Sequence, residues 1–238
     1  MKIATISDTH NKHRDIKVPE YADIVLHAGD ISGRGHESEI SDFMDWYGSL
    51  PNKYKVMIAG NHDWGFERDY DKYKKMAEDK GIIVLYDNSV VVEGLIIWGS
   101  PVQPAFCNWA FNRSREGINK TLHCRGHSPI RPHWDKIPLN ANIVVTHGPA
   151  HKILDETYYG NDNVGCEILA EKMAEIKPLL HVSGHIHEAR GVQVVFHGDT
   201  PTTYTNTSSL NLSYEPWKDE TFVFDLDKLK AGVSSGRD

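Results

Sequence analysis

Residues 1–30 read MKIATISDTHNKHRDIKVPEYADIVLHAGD. Two short runs, 2–6 and 23–27, each give way to one or two small residues and then to an aspartate, Asp8 and Asp30. Both are near-continuous in hydrophobicity and rich in β-branched residues, as expected of strands covered on both faces. Working outward, runs of the same kind recur at 55–59, 82–85, 95–98, 143–146 and 179–183. Helical patterns lie between several of them. Ile40, Phe43, Met44 and Tyr47 fall at i, i+3, i+4 and i+7, one face of a helix. Tyr70, Tyr73 and Ala77 repeat part of that spacing, and Ile168, Leu169, Met173 and Ile176 do so again before Pro178. Strands alternating with helices predict α/β layers.

Past Phe196 the pattern changes to strands without long helices, over 202–205 and 221–224. We expect one domain over 1–230 and a frayed, polar tail over 231–238. Residues 100–138 read as a long irregular stretch, with Phe106, Trp109, Phe111 and Trp134 set among Arg113, Arg115, Arg125 and Arg131. Such a segment is either functional or a surface excursion that packs its own aromatics.

Five of the strand runs end in residues able to bind metal. These are Asp8-Thr9-His10, Gly29-Asp30, Gly60-Asn61-His62-Asp63, His147-Gly148 and Gly184-His185-Ile186-His187. Ligand sites of α/β sheets lie beyond the carboxyl ends of strands, so all five sets point to one place. Asp8 and His10 are two apart, as are His185 and His187, so in extended chain each pair projects the same way. Carboxylate, imidazole and amide oxygens without thiolate suit Mn²⁺, Fe or Zn²⁺. The chain holds 14 histidines, an excess that itself invites a search for such a centre.

The ordered set D-x-H, G-D, G-N-H-D, T-H-G and G-H-x-H resembles the calcineurin-like metallophosphoesterases over nearly the whole chain. A narrower similarity is to the metallophosphoesterase-domain (MPPED) branch, the class III phosphodiesterase-like proteins. It rests on His27-Ala28-Gly29-Asp30 with Arg34-Gly35, on segments 99–106 and 109–112, and on Thr146-His147-Gly148-Pro149. Gly165-Cys166-Glu167 and 206–211 add to it, while Val102 and 216–218 depart from that branch, which bears on substrate rather than on metal.

The resemblance implies an αββα sandwich of two mixed β-sheets flanked by helices. It implies two divalent ions, Mn²⁺ first, with Fe, Zn²⁺ or Ni²⁺ as alternatives. One would take Asp8, His10, Asp30 and His187; the other would take Asp30, Asn61, His147 and His185, with Asp30 as the bridge. His62 would face the substrate and stabilise or protonate the leaving oxygen, with Asp63 orienting its imidazole and Arg34 contacting phosphate. Asn61 and His62 would also touch substrate, joined by Phe106, Trp109, His151 and Asn206. The implied activity is hydrolysis of small phosphodiesters, 2′,3′-cyclic nucleotides foremost, by attack of a metal-bridging hydroxide. Phosphomonoesterase, nucleotide pyrophosphatase and phosphoprotein phosphatase are the alternatives within the superfamily, and a catalytically weak metal-binding scaffold is the alternative outside enzymes. The phosphoprotein phosphatase pattern is disfavoured because Gly33 replaces its acidic residue and Asp63 its glutamate.

Bulk properties narrow the partners. A net charge of -7 argues against stable nucleic-acid binding, which needs a basic stripe to displace counterions. No apolar run reaches about 18 residues and the start is too short for a signal peptide, so no membrane segment is expected. Three cysteines without a CxxC pair read as free thiols of a cytoplasmic protein. The sequence specifies no oligomeric state. His27 and His181 lie inside predicted strands and read as hydrogen-bonded core residues. His123, Cys124 and His127 form a cluster that lacks a fourth ligand, so no second metal site is expected there.

Overall fold

A computed structural model describes residues 1–115, 128–158, 162–219 and 221–232. The first sheet has β1 (Lys2–Ile6), β2 (Ile24–Ala28), β3 (Tyr54–Ile58) and β4 (Ile82–Val84) side by side and parallel. The second contains β5 (Asn88–Val92), β6 (Leu95–Ser100), β9 (Ile143–Thr146), β10 (Leu180–Ser183), β11 (Gly191–His197) and β12 (Thr200–Asn206). Its order is β11-β12-β10-β9-β6-β5, with the inner four parallel and both edges antiparallel. β13 (Phe222–Asp225) closes the first sheet antiparallel to β1. A two-residue ladder joins β7 (Gln103–Pro104) to β8 (Asn112–Arg113).

The sheets are hydrophobic on both faces because each face has a partner. Ile3, Leu26, Val56 and Ile58 of the first sheet pack with Ile97, Val145 and Val182 of the second, and α6 (Leu226–Lys230) adds Leu226 and Leu229 to that layer. On the outer face of the first sheet, Ala4, Val25 and Met57 receive α1 (Glu37–Ser49), α2 (Trp64–Arg68) and α3 (Tyr70–Glu78). The α1 residues Ile40, Phe43, Met44 and Tyr47 are fully buried there, each contributing about 1.5–3 kcal/mol by leaving water. The Tyr47 hydroxyl lies against the carbonyls of Val25 (2.9 Å) and Val56 (3.0 Å), so its polar end is satisfied inside the core. On the outer face of the second sheet, Trp98, Val144 and Tyr204 are covered by α4 (Arg131–Trp134) and α5 (Glu167–Ile176). The result is the expected αββα sandwich of two mixed sheets.

The short β7 and β8 and two strands of the second sheet escape the periodicity reading. β5 and β11 are half-exposed edges of the second sheet, and their mixed polarity gives no continuous apolar run. The irregular stretch after β6 divides by residue: Phe111 and Trp134 are core, whereas Phe106 and Trp109 are half-buried in a cleft. The His123-Cys124-His127 cluster and residues 233–238 lie outside the described residues.

His27 and His181 are core residues, as read. The Gly29 N–H donates to His27 Nδ1 (3.2 Å), so His27 Nε2–H faces Thr9 Oγ1 (3.2 Å). His181 Nε2 meets Thr146 Oγ1 at 2.9 Å. Burial pushes both imidazoles down to about 3, which keeps them neutral. Among the described residues, no helix is long and apolar enough to cross a membrane.

Candidate metal centre and its cleft

The carboxyl ends of β1, β2, β3, β9 and β10 converge, and each turns sharply as it leaves its sheet. Asp8 (φ 50°), His10 (φ 38°), Asp30 (φ 57°) and His185 (φ 71°) all occupy the left-handed region. For non-glycine residues this costs on the order of 1–3 kcal/mol each, and it concentrates at functional sites. Crossed backbone bonds hold the turns: Asp8 N–H donates to Gly29 O (2.9 Å) and His10 N–H to Asp30 O (3.1 Å). Gly60 has no room for a side chain, since a Cβ there would sit 2.3 Å from Asp30 Oδ1.

The side chains form three groups. Asp8, His10 and His187 make one, Asp30, His147 and His185 another, and His10, Asp30 and His62 a third that shares one residue with each. His10 Nδ1 is held by the Ser32 carbonyl (3.2 Å) and His187 Nδ1 by the Asn211 carbonyl (3.1 Å). A backbone carbonyl can only accept, so both Nδ1 atoms carry the proton. The two Nε2 lone pairs then face each other at 3.3 Å, with carboxylates of Asp30 and Asp8 at 3.7 and 3.6 Å. His147 repeats the arrangement: its Nδ1 faces Ala28 O (2.8 Å), while Nε2 meets Asn61 Oδ1 (2.8 Å) and Asp30 Oδ2 (3.3 Å). Converging acceptors without a donor between them repel unless a cation or proton is present. The donor set therefore fits divalent metal ions.

The electrostatics agree. Burial alone would raise the Asp8 carboxyl, but the hydrogen bond and charge of His187 hold it well below the usual carboxylate range. Burial opposes ionisation of Asp30 in the same way, and His147 overcomes it. Burial would depress His147, yet Asp30 and Asp8 push it up to about 9. Without metal, a proton on His147 takes the place a cation would fill.

Above these groups opens a cleft of about 280 Å³ lined by Asp30, Asn61, His62, His185 and His187 below and by Phe106, Trp109, Glu188, Leu212 and Tyr214 around the rim. His62 is held from three sides. Its N–H donates to Asp30 Oδ1 (2.8 Å), its Nδ1 faces Gly33 O (2.8 Å), and Trp109 stacks on its ring at 4.2 Å.

Four of the expected residues, Asp63, Arg34, His151 and Asn206, are not among those lining the cleft. Asp63 does not orient His62, because Gly33 O holds that imidazole. Asp63 is fully buried and accepts from the N–H groups of Ile31 (3.2 Å), Ser32 (3.0 Å) and Gly60 (2.8 Å), and from Ser32 Oγ (2.6 Å). It clasps the two loops that present Asp30 and Asn61, and burial with the nearby Asp30 charge pushes it up to about 6. Arg34 is exposed and lies outside the cleft lining. His151 also lies outside it, with Nδ1 3.6 Å from Asp155. Asn206 is fully buried, donating to Ile186 O (2.8 Å) and Leu154 O (3.2 Å) and thereby shaping the His185–His187 turn from beneath.

Asn206→Ala is accordingly expected to act on stability. Two carbonyls lose a donor, at about 1–3 kcal/mol, or roughly 2–12 °C in melting temperature for a domain of this size. Thermal denaturation checks this; an unchanged melting temperature with a raised KM would restore Asn206 to the substrate contacts.

Sequence reasoning missed Tyr214, Leu212, Glu188 and the Asn211 carbonyl. The first two sit in an irregular segment with no period or motif, and a carbonyl partner to His187 carries no side-chain signature. Glu188 had a signal, its place directly after His187.

Comparison with known proteins agrees with this geometry. A family model described as calcineurin-like phosphoesterase matches residues 1–189. Human metallophosphoesterase domain-containing protein 1 is 35% identical over 237 residues, covering 90% of this chain and 68% of that protein. Among solved structures, the protein TT1561 of Thermus thermophilus superposes with a TM-score of 0.55 at 13% identity, covering 87% of this chain and 90% of that one. A structure described as a novel archaeal phosphodiesterase superposes at 0.50 and 17% identity, over 96% and 95%. At those identities the two structures speak for the fold alone.

Proposed function

The chain belongs to the calcineurin-like phosphoesterase family, and from that premise we propose that it is a dinuclear-metal phosphodiesterase acting on small phosphodiesters. The observation that carries this reading is the position of the Asp30 carboxylate. Its Oδ2 lies 3.7 Å from His10 Nε2 and 3.3 Å from His147 Nε2, between the two ligand groups. A carboxylate so placed can serve two cations. Asp8, His10, Asp30 and His187 would hold one ion, and Asp30, Asn61, His147 and His185 the other; Mn²⁺ suits these hard and borderline ligands. Bound there, the ions supply Lewis acidity that activates water and offsets phosphate charge.

The chain's own residues do the rest. With Nδ1–H held by Gly33, His62 exchanges its proton at Nε2, so its imidazolium gives that proton to the leaving oxygen and the neutral ring stays in place. The Trp109 stack fixes the plane of that ring. Phe106, Leu212 and Tyr214 exclude water and offer apolar contact to an ester substituent. Among the described residues lining the cleft there is no lysine or arginine, and Glu188 stands at its rim. A dianionic monoester would meet no lysine or arginine there. A diester, with one charge and a second substituent, suits the lining better; a nucleoside 2′,3′-cyclic phosphate is one such compound.

The test is hydrolysis of bis(p-nitrophenyl) phosphate beside p-nitrophenyl phosphate, with Mn²⁺ restored after chelation. The expected result is Mn²⁺-dependent turnover with the diester preferred. Equal or greater monoester turnover would reject the diester reading, and full activity after chelation would reject the metal-dependent one.

A further inference from the structure

The chain from β7 to β8 carries two walls of the cleft, Phe106 and Trp109, and its stem and its tip are held differently. In the stem, Gln103 N–H donates to Phe111 O (3.2 Å), Ala105 N–H to Arg113 O (2.8 Å) and Ala110 N–H to Asn61 O (3.2 Å). Phe111 N–H donates to Glu67 Oε1 (2.8 Å). Among the described residues, no backbone hydrogen bond joins the tip, 106–109, to a residue outside it. Yet Cys107 within the tip sits in the left-handed region at φ 44°, a conformation that persists only where something holds it. One side chain supplies what the backbone does not. Asn112 is 1% exposed, and its Nδ2 lies 3.0 Å from Phe106 O and 3.3 Å from Cys107 O. Carbonyls only accept, so the two amide hydrogens face them, while Oδ1 takes Gln103 Nε2 at 3.4 Å.

The two aromatic walls touch the reacting groups. Phe106 meets the ring of His185 edge-on at 5.0 Å, and Trp109 stacks on His62 at 4.2 Å. We propose that Asn112 is a positioning residue, which fixes the turn between them and so holds Phe106 against His185 and Trp109 against the proton donor His62. A side chain of similar size without two donors, aspartate for example, would fill the space and leave both carbonyls unpaired. The catalytic consequence rests on the phosphodiesterase reading above; the packing does not.

The experiment follows the imidazole Cε1–H resonance of His62 in the full chain supplemented with diamagnetic Zn²⁺, assigned by its loss in His62→Asn. The stacked indole displaces that resonance through its ring current, and Trp109→Ala gives the displacement expected once the stack is gone. Asn112→Ala should move the His62 signal in the same direction, with the indole signals of the core residues Trp98 and Trp134 in place. An unmoved His62 signal overturns the proposal. Should the core signals be lost, Asn112→Asp, which keeps the shape of the side chain, is read in the same way. Turnover is the second readout. In Asn112→Ala, hydrolysis of diphenyl phosphate should fall about tenfold to a hundredfold and that of bis(p-nitrophenyl) phosphate much less, because phenolate needs the His62 proton more. The loss should largely disappear when Trp109→Ala is already present. Equal losses on both esters, or losses that multiply in the double variant, would make Asn112 a structural residue only and overturn its positioning role. If the unaltered chain turns over neither ester, the phosphodiesterase reading fails, and the His62 resonance alone decides for or against Asn112.

Discussion

Asp30→Asn is expected to leave the purified protein with at most one tightly bound divalent ion per chain and to lower kcat by about a thousandfold or more. The size of the effect follows from how much converges on this carboxylate. Asp30 is 2% exposed, with Oδ2 between His10 and His147 and Oδ1 accepting the His62 N–H. An amide of the same shape keeps the packing but removes the charge that would hold two cations together. It also turns one acceptor into a donor beside a backbone N–H or an imidazole. The fold should survive, since the substitution relieves a buried charge as well as removing a useful one. Elemental analysis and turnover are both needed. Two ions per chain together with more than about a tenth of the activity would exclude the bridging role.

For His62→Ala the expected outcome is a selective loss. Hydrolysis of alkyl phosphodiesters should fall by about 10²–10⁴-fold, the usual worth of a positioned general acid. Bis(p-nitrophenyl) phosphate should suffer much less, because p-nitrophenolate leaves without needing a proton. Metal content is the second readout. His62 lies within reach of His10 and Asp30 as a possible third ligand, so geometry alone leaves two roles open. Two ions retained with a leaving-group-dependent loss would assign the acid; one ion lost with uniform damage would make His62 a ligand. His62→Ala also removes the ring on which Trp109 stacks, so His62→Asn serves as a less disruptive companion.

Much of this architecture is legible in the chain because the parallel strands are buried on both faces. Ile24–Ala28 is buried at every position, and a short β-branched run without polar alternation matches a central strand covered on both faces. The edge strands β5 and β11 were not legible for the converse reason. One side of each faces solvent, so their side chains alternate irregularly and carry little period.

The residues of the centre could be read from position, since a strand's end and the identity of the next few residues are local facts. Asp8, His10, Asp30, Asn61, His147, His185 and His187 stand together in space because sheet order brings five strand ends to one crevice. Local pattern says nothing, however, about which atom of a side chain finds which partner. Asp63 follows His62 in the chain, yet its carboxylate turns inward to four donors while the imidazole takes a carbonyl from another loop. Asn206 is polar and close in sequence to the cleft wall, but its amide is consumed by buried carbonyls. Strand burial, helix faces and ligand types thus belong to the sequence, because hydrophobic periodicity and side-chain chemistry are properties of the residues themselves. The Trp109 stack, a lining without lysine or arginine and the wall made by Leu212 and Tyr214 belong to the tertiary structure, because contacts between distant segments depend on where irregular loops come to rest.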